Sequence, residues 1–176
     1  MSIEQVISER RTVHSYTNEE VPRELINKAF EMAIMAPNHK LTFPFLFILV
    51  GKETRNKVAD IAFELKGQKE PIRTKFQSEG SLVFFAQKLA DDEFTRKEDY
   101  ATMACAIQNY SLYLWEQGYG SKWSSGQIIR SDETYKVLNI NPDEYEIVGM
   151  IWAGKFKSEP RVPERPQLTD VIQETD

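Results

Sequence analysis

The chain has 176 residues, 41% apolar and 11% aromatic, enough for one packed domain and against disorder as the default. Its 22 basic and 27 acidic residues leave a net charge of −5, which excludes a broad cationic footprint for nucleic acid or an anionic membrane; any bound anion must be held locally. The single cysteine, Cys105, excludes an internal disulfide and a thiolate metal cage.

Taken in order, Ile3, Val6 and Ile7 share a helical face, which predicts a short helix over residues 2–9 that delivers Arg10 and Arg11 at its end. A helix C-terminus disfavours phosphate, so any anion held here must rely on side chains and on the loop that follows. Pro22 opens a second helix whose stripe of Leu25, Ile26, Ala29, Phe30, Ala33 and Ile34 runs to Met35, and Pro37 stops it. The apolar run from Pro44 to Val50 predicts a central strand covered on both faces. Helices are expected over Thr54–Leu65 and Pro71–Gln77, then a second buried strand over Ser81–Gln87.

Residues 93–117 form the longest helical pattern, apolar nearly all round, which fits the centre of a core or a subunit interface. Cys105 falls inside it and is expected to be a buried small residue rather than a nucleophile. Gly118 and Gly120 end this helix. Ser131 caps a helix to Leu138, and Tyr145–Gly154 carries a third buried strand. Beyond Lys155 the composition turns to Pro160, Pro163, Pro166 and charges, a tail with no core of its own that must dangle or pack on another surface. With no run of about eighteen apolar residues and no signal-peptide core at the N-terminus, a cytoplasmic protein is expected.

Three stretches could carry chemistry. Glu9-Arg10-Arg11-Thr12-Val13-His14-Ser15-Tyr16 gathers two guanidiniums, a hydroxyl and an imidazole, suited to phosphate oxygens, although an Arg-Arg pair near an N-terminus is more often a solvated surface feature. Ala36-Pro37-Asn38-His39-Lys40 is a polar loop between a helix and a strand, which is either a binding loop or a solvated connection. Gly118-Tyr119-Gly120-Ser121-Lys122-Trp123-Ser124-Ser125-Gly126 contains Gly-x-Gly, but a helix precedes it where a dinucleotide fingerprint needs a strand, so dinucleotide binding through it is not expected.

Together, in this order and spacing, the three stretches resemble the nitroreductase family. Residues 9–16 are similar to its Arg-Arg-Ser-x-Arg-x-Phe opening, and Ala36–Lys40 with Phe43-Pro44-Phe45 is similar to its Ala-Pro-Ser…Gln-Pro-Trp segment. Gly118–Trp123 matches the Gly-x-Gly-x-x-Trp turn after its long helix, and the likeness extends to Val148-Gly149-Met150 and Glu164-Arg165-Pro166-Gln167-Leu168. The closest likeness is to a short subgroup with Pro-Asp-His-Lys in the second motif.

The resemblance implies an α+β fold, a central mostly antiparallel sheet flanked by helices. It further implies an intertwined homodimer with FMN at the interface, built from one domain over residues 1–156 and an extension over 157–176 that wraps the partner. It implies that Arg10, Arg11 and Thr12 take the FMN phosphate and ribityl region, with His14 as a weaker, pH-dependent second cation. Asn38 and His39 would reach the flavin from the other subunit; Trp123, Ser124, Ser125 and Gly126 would line the isoalloxazine; and Arg165, with Arg161 as competitor, would meet the phosphate.

The activity implied is NAD(P)H oxidation with ping-pong hydride transfer to nitroaromatics, quinones or similar electrophiles, the flavin carrying the chemistry and no side chain acting as catalyst. Three positions depart from the family pattern. Phe43 replaces its usual Gln, Leu41 its usual Asn, and Ser125 stands where many members have an acidic residue or Gly. A flavin store or sensor without turnover, and an interaction module without cofactor, are the alternatives.

Overall fold

The computed structural model describes residues 1–175. Its frame is a four-stranded antiparallel sheet in the order β1-β2-β4-β3, made of β1 (Phe45–Leu49), β2 (Ser81–Lys88), β3 (Gly120–Ser124) and β4 (Tyr145–Gly154). Six helices accompany it: α1 (Ile3–Glu9), α2 (Arg23–Ala33), α3 (Lys52–Leu65), α4 (Glu70–Ser78), α5 (Glu93–Glu116) and α6 (Asp132–Leu138). The α+β architecture is the expected one.

The inner pair, β2 and β4, divides two cores. Leu82, Phe84 and Ala86 of β2 with Ile147, Met150 and Trp152 of β4 face a cluster that draws on α3, α4 and α6. Val83 and Phe85 with Val148, Ile151 and Ala153 face a second cluster that draws on α2 and α5. Each large apolar side chain so buried contributes roughly 1.5–3 kcal/mol of transfer free energy, which is why both strands read as unbroken apolar runs. Phe85 pairs with Gly149 and Ala86 with Ile147, so Val148 is an extra residue that bulges β4 beside β3.

Four expectations need correction. β1 was expected at the centre of the sheet; it lies at an edge, pairs only with β2, and is half-buried along its whole length. Both of its faces are covered, as its apolar run implies: Phe45, Phe47 and Leu49 pack against the core shared with α2, where Phe47 stacks on Phe30 at 5.0 Å, and Leu46 and Ile48 pack against the other core. Helix α5 was expected to be buried nearly all round. Thr102, Met103, Ala106, Ile107, Tyr110 and Leu114 point inward, but Phe94, Ala101, Cys105 and Gln108 lie on an exposed face. Cys105 is therefore a surface thiol, because the inward stripe runs through 102, 106 and 110 rather than through 101 and 105. Ser131 stands at the N-cap of α6 without donating or accepting a side-chain cap bond; that helix is closed instead by Asn139 in the left-handed region at φ 55°.

Among the described residues, the tail after Phe156 adds no strand and is exposed almost throughout, with one short 3-10 turn at Leu168–Asp170.

Candidate functional site

The segment that follows α1 is fixed by its main chain. Thr12 forms a parallel bridge to Ser121 of β3, and Val13 N–H donates to the Ser121 carbonyl at 3.1 Å. Gly120 permits this approach, since a Cβ there would stand 2.2 Å from Val13 Cγ2. Tyr16 is fully buried, and its hydroxyl donates to the Val13 carbonyl at 2.7 Å. Burial, with Glu79 and Tyr110 nearby, pushes the Tyr16 phenol well above its usual range. Downstream, Tyr16 bridges to Phe156, Thr17 N–H donates to the Lys155 carbonyl at 2.8 Å and Lys157 N–H to the Ser15 carbonyl at 3.2 Å. The same segment thus positions the root of the tail.

Between them lies a cleft of about 740 Å³, walled on one side by Arg10, Arg11, Thr12, Val13, His14 and Ser15 and on the other by tail residues from Ser158 to Arg165. Arg10, Arg11, Thr12, His14 and Arg165 are therefore brought together in one chain; Arg161 lines the cleft as well. Arg10 caps α1 and is half-buried, and its guanidinium pKa is lowered by that burial and by the neighbouring charges of Arg165 and Arg11. Arg11 is turned back: its Nη1 donates to the carbonyls of Ser8 at 2.5 Å and Arg10 at 2.9 Å, while its buried Nε has no partner. Crowded cations that depress one another form a site that gains stability when an anion enters.

A second cavity of about 270 Å³ adjoins this region. It is lined by Ser124, Ser125 and Gly126 at the end of β3, by Lys75 and Lys122, and by an apolar floor that includes Phe76, Met150 and Trp152. Lys75 links the two spaces, because its Nζ donates to the His14 carbonyl at 2.5 Å. Lys122 is held below the usual lysine range by burial and by the charge of Lys75. Trp123 points to the opposite sheet face. Its indole lies on Gly149, where a Cβ would come within 2.1 Å of Nε1, and Nε1 donates to the Val148 carbonyl at 3.4 Å.

Asn38 and His39 are not brought to this cleft within one chain. The Asn38 amide is engaged at both ends: Nδ2 donates to Thr42 Oγ1 at 2.8 Å and Thr102 Oγ1 at 3.4 Å, and Oδ1 accepts from Phe43 N–H at 2.8 Å. Thr42 in turn donates to Asp99, which ties the loop to α5. Lys40, Leu41 and Phe43 all have positive φ, near 50°. His39 is exposed, edge-on to Phe94 at 6.0 Å. Phe94 opens α5, whereas Trp115 at its other end stacks on Phe156 beside the cleft. The 21 positions between them span about 31 Å of helix.

The sequence reading missed Lys75, Lys122 and Glu79. Lys122 was accessible, since strand alternation places it opposite Trp123 and beside Ser124. Nothing in sequence connects Lys75 or Glu79, on and after α4, with His14 and Tyr16.

No helix among the described residues is long and apolar enough to cross a membrane, and they contain no group of three or more His, Cys, Asp or Glu side chains able to hold a metal.

Residues 7–155 match the family model described as the nitroreductase family. A Bacillus subtilis protein named NAD(P)H nitroreductase YfhC is 30% identical, the alignment covering 94% of this chain and 90% of that protein. The crystal structure of a nitroreductase-like family protein from Bacillus cereus superposes with a TM-score of 0.91 at 27% identity, over 100% of this chain and 97% of that one. A Desulfovibrio desulfuricans structure solved in complex with FMN superposes with a TM-score of 0.80 at 20% identity, over 100% and 98% of the two chains. A fold shared along its full length and a family model over most of its residues lead to one assignment: the chain belongs to the nitroreductase family and is an oxidoreductase.

Proposed function

We propose that the chain is an FMN-dependent NAD(P)H oxidoreductase that reduces nitroaromatics, quinones or similar electrophiles in ping-pong order, as a homodimer. The observation that carries this reading is the adjacency of the two spaces: a cationic cleft at Arg10–Ser15 and, joined to it through Lys75, an apolar-floored cavity rimmed by Ser124–Gly126. A flavin mononucleotide has this polarity, a phosphate at one end and a flat apolar ring at the other.

The donor set fits the group. Arg10 and Arg165 supply charge-assisted donors to the phosphate, Thr12 a hydroxyl, and His14 a further donor. Arg11 fixes the end of α1 and adds its charge to the cleft. Ser124, Ser125 and Gly126 border the ring, Trp123 lies on the other face of the sheet, and the cations Lys75 and Lys122 offset negative charge at the ring. When bound, FMN supplies hydride acceptance from NAD(P)H and hydride donation to the electrophile. The chain's residues bind, orient and exclude water.

The second copy follows from distance. His39 lies against Phe94, about 31 Å of helix from Trp115 beside the cleft of its own chain, and Asn38, bonded to Thr102, about 20 Å from it, so the matched loop serves the site of a partner. Exposed Leu41, Phe43 and Phe94 surround His39, apolar surface of the kind an interface covers. Past Pro166 the tail exposes Leu168, Val171 and Ile172, which suit it to wrap that partner.

An absorption spectrum of the purified protein tests the reading. The expected outcome is a yellow dimer that NADPH or NADH bleaches anaerobically and that an added quinone or nitroaromatic re-oxidises. A yellow protein indifferent to both pyridine nucleotides is a flavin store; a colourless one that FMN does not stabilise overturns the cofactor.

A further inference from the structure

The cleft has two walls, joined at their root by the main-chain bonds of Thr17 to Lys155 and of Lys157 to Ser15. One is the segment from Arg10 to Ser15; the other is the tail from Ser158 to Arg165. A single carboxylate touches the supports of both. Glu79, at the corner between α4 and β2, is largely buried with a side-chain exposure of 14%. Its Oε2 accepts from Tyr16 N–H at 3.4 Å and lies 3.7 Å from Lys75 Nζ, the amine that donates to the His14 carbonyl. Its Oε1 lies 3.6 Å from Lys157 Nζ, the residue immediately before the tail wall.

The corner that carries Glu79 is itself rigid. The buried Arg55 guanidinium donates to the carbonyls of Phe76, Glu79 and Gly80, and Gly80 N–H donates to the Thr17 carbonyl at 3.0 Å. A carboxylate this near an anion cleft would oppose a phosphate were it not flanked by two ammonium groups. The lysines cancel its charge while it holds them in place.

We propose that Glu79 is a positioning residue of the phosphate cleft: through Tyr16 and Lys75 on one side and Lys157 on the other, it sets the separation of the two walls. The inference rests on the FMN reading above and goes beyond it, since Glu79 lines neither cavity. Two side chains held near their bound geometry make an anion site stronger than the same groups left free, because less ordering is required on binding.

The test compares FMN with riboflavin, which has the same ring and no phosphate, by flavin-fluorescence titration of wild type, Glu79→Gln, Glu79→Ala and Lys157→Met. A role confined to general stability weakens both ligands alike, whereas a role in the spacing of the cleft lowers only the preference for FMN. Glu79→Ala is expected to weaken FMN by about tenfold and riboflavin by less than about twofold. Glu79→Gln, which can still accept from Tyr16 N–H, should fall between wild type and Glu79→Ala. Lys157→Met, a change at a half-exposed side chain, should reduce the preference by about threefold without loss of fold.

An unchanged FMN-to-riboflavin preference in Glu79→Gln and Lys157→Met overturns the inference even if Glu79→Ala does not fold. Tighter FMN binding by Glu79→Gln also overturns it, since the carboxylate would then act only as a like charge. A wild type that binds neither flavin overturns the cofactor reading itself, so the two failures are distinguishable.

Discussion

The segment after α1 and the loop before β1 are the two polar stretches that matter most, and they are built in opposite ways. Residues 12–17 are held by main-chain bonds to Ser121, Lys155 and Lys157, which leaves the side chains of Arg10, Thr12 and His14 free to meet a ligand. Residues 38–43 are held by their own side chains. Asn38 is engaged at both ends, Thr42 is tied to Asp99, and three non-glycine residues take positive φ, a conformation that costs of order 1–3 kcal/mol where it is strained. A binding residue in the first region can be replaced without loss of shape; in the second, polar side chains are the shape.

Arg10→Ala gives the largest effect expected from this contrast. It should weaken FMN by about 100-fold, the loss of two charge-assisted bonds, with the melting temperature of the FMN-free protein nearly unchanged. Mixing it with His39→Ala sharpens the comparison further. If the two regions serve one site across a dimer, mixed dimers regain one intact site, and NADPH oxidation by the mixture should exceed that of either variant alone. Activity that never exceeds the parents' would return both regions to a single chain.

Asn38→Ala reverses the pattern. It should cost about 1–3 kcal/mol of folding stability, because Phe43 N–H and Thr42 lose their partner, as read from urea unfolding of the FMN-free protein. An unchanged unfolding midpoint would show that the loop is held by something other than Asn38.

The smallest effect concerns the anchor of the first region. The phenols of Tyr16 and Tyr110 are both raised by burial, Tyr16 also by Glu79. Their contribution to stability is therefore complete below the ordinary tyrosine value of 10.0 and is lost as pH rises above it, where the unfolded chain ionises and the folded one does not. Tyr16→Phe removes one of the two groups and the bond to the Val13 carbonyl. It should cost about 1 kcal/mol at pH 8 and show a shallower loss of stability between pH 10 and 11 than wild type. Equal slopes would mean that Tyr16 titrates normally.

Most of the fold could be read from periodicity, because buried strands and amphipathic helices write their environment into the chain. Ser81–Gln87 and Ile147–Ala153 are unbroken apolar runs and proved to be the inner pair of the sheet. The same signal misplaced β1, since a strand with both faces packed reads alike in sequence whether one or both of its edges are paired. Cys105 was misread for a related reason: a helix with small and apolar residues all round does not announce which face meets its own core. In the site, Arg10, Arg11, Thr12, His14 and Arg165 were legible as residue types with phosphate chemistry and prove to share a cleft. Lys75 and Glu79 were not, because their positions follow from α4 packing beside Tyr16, a contact between segments about sixty residues apart.

The order of strands in the sheet has a consequence for synthesis. β4, which lies between β2 and β3, begins at Tyr145, about 57 residues after β2 ends at Lys88, or roughly 3–11 s of elongation at 5–20 residues per second. For that interval β2, the strand whose first seven residues are all buried in the finished chain, has a free edge and no partner on that side. The nascent chain therefore carries an apolar strand with one edge unpaired until the segment that covers that edge has been made.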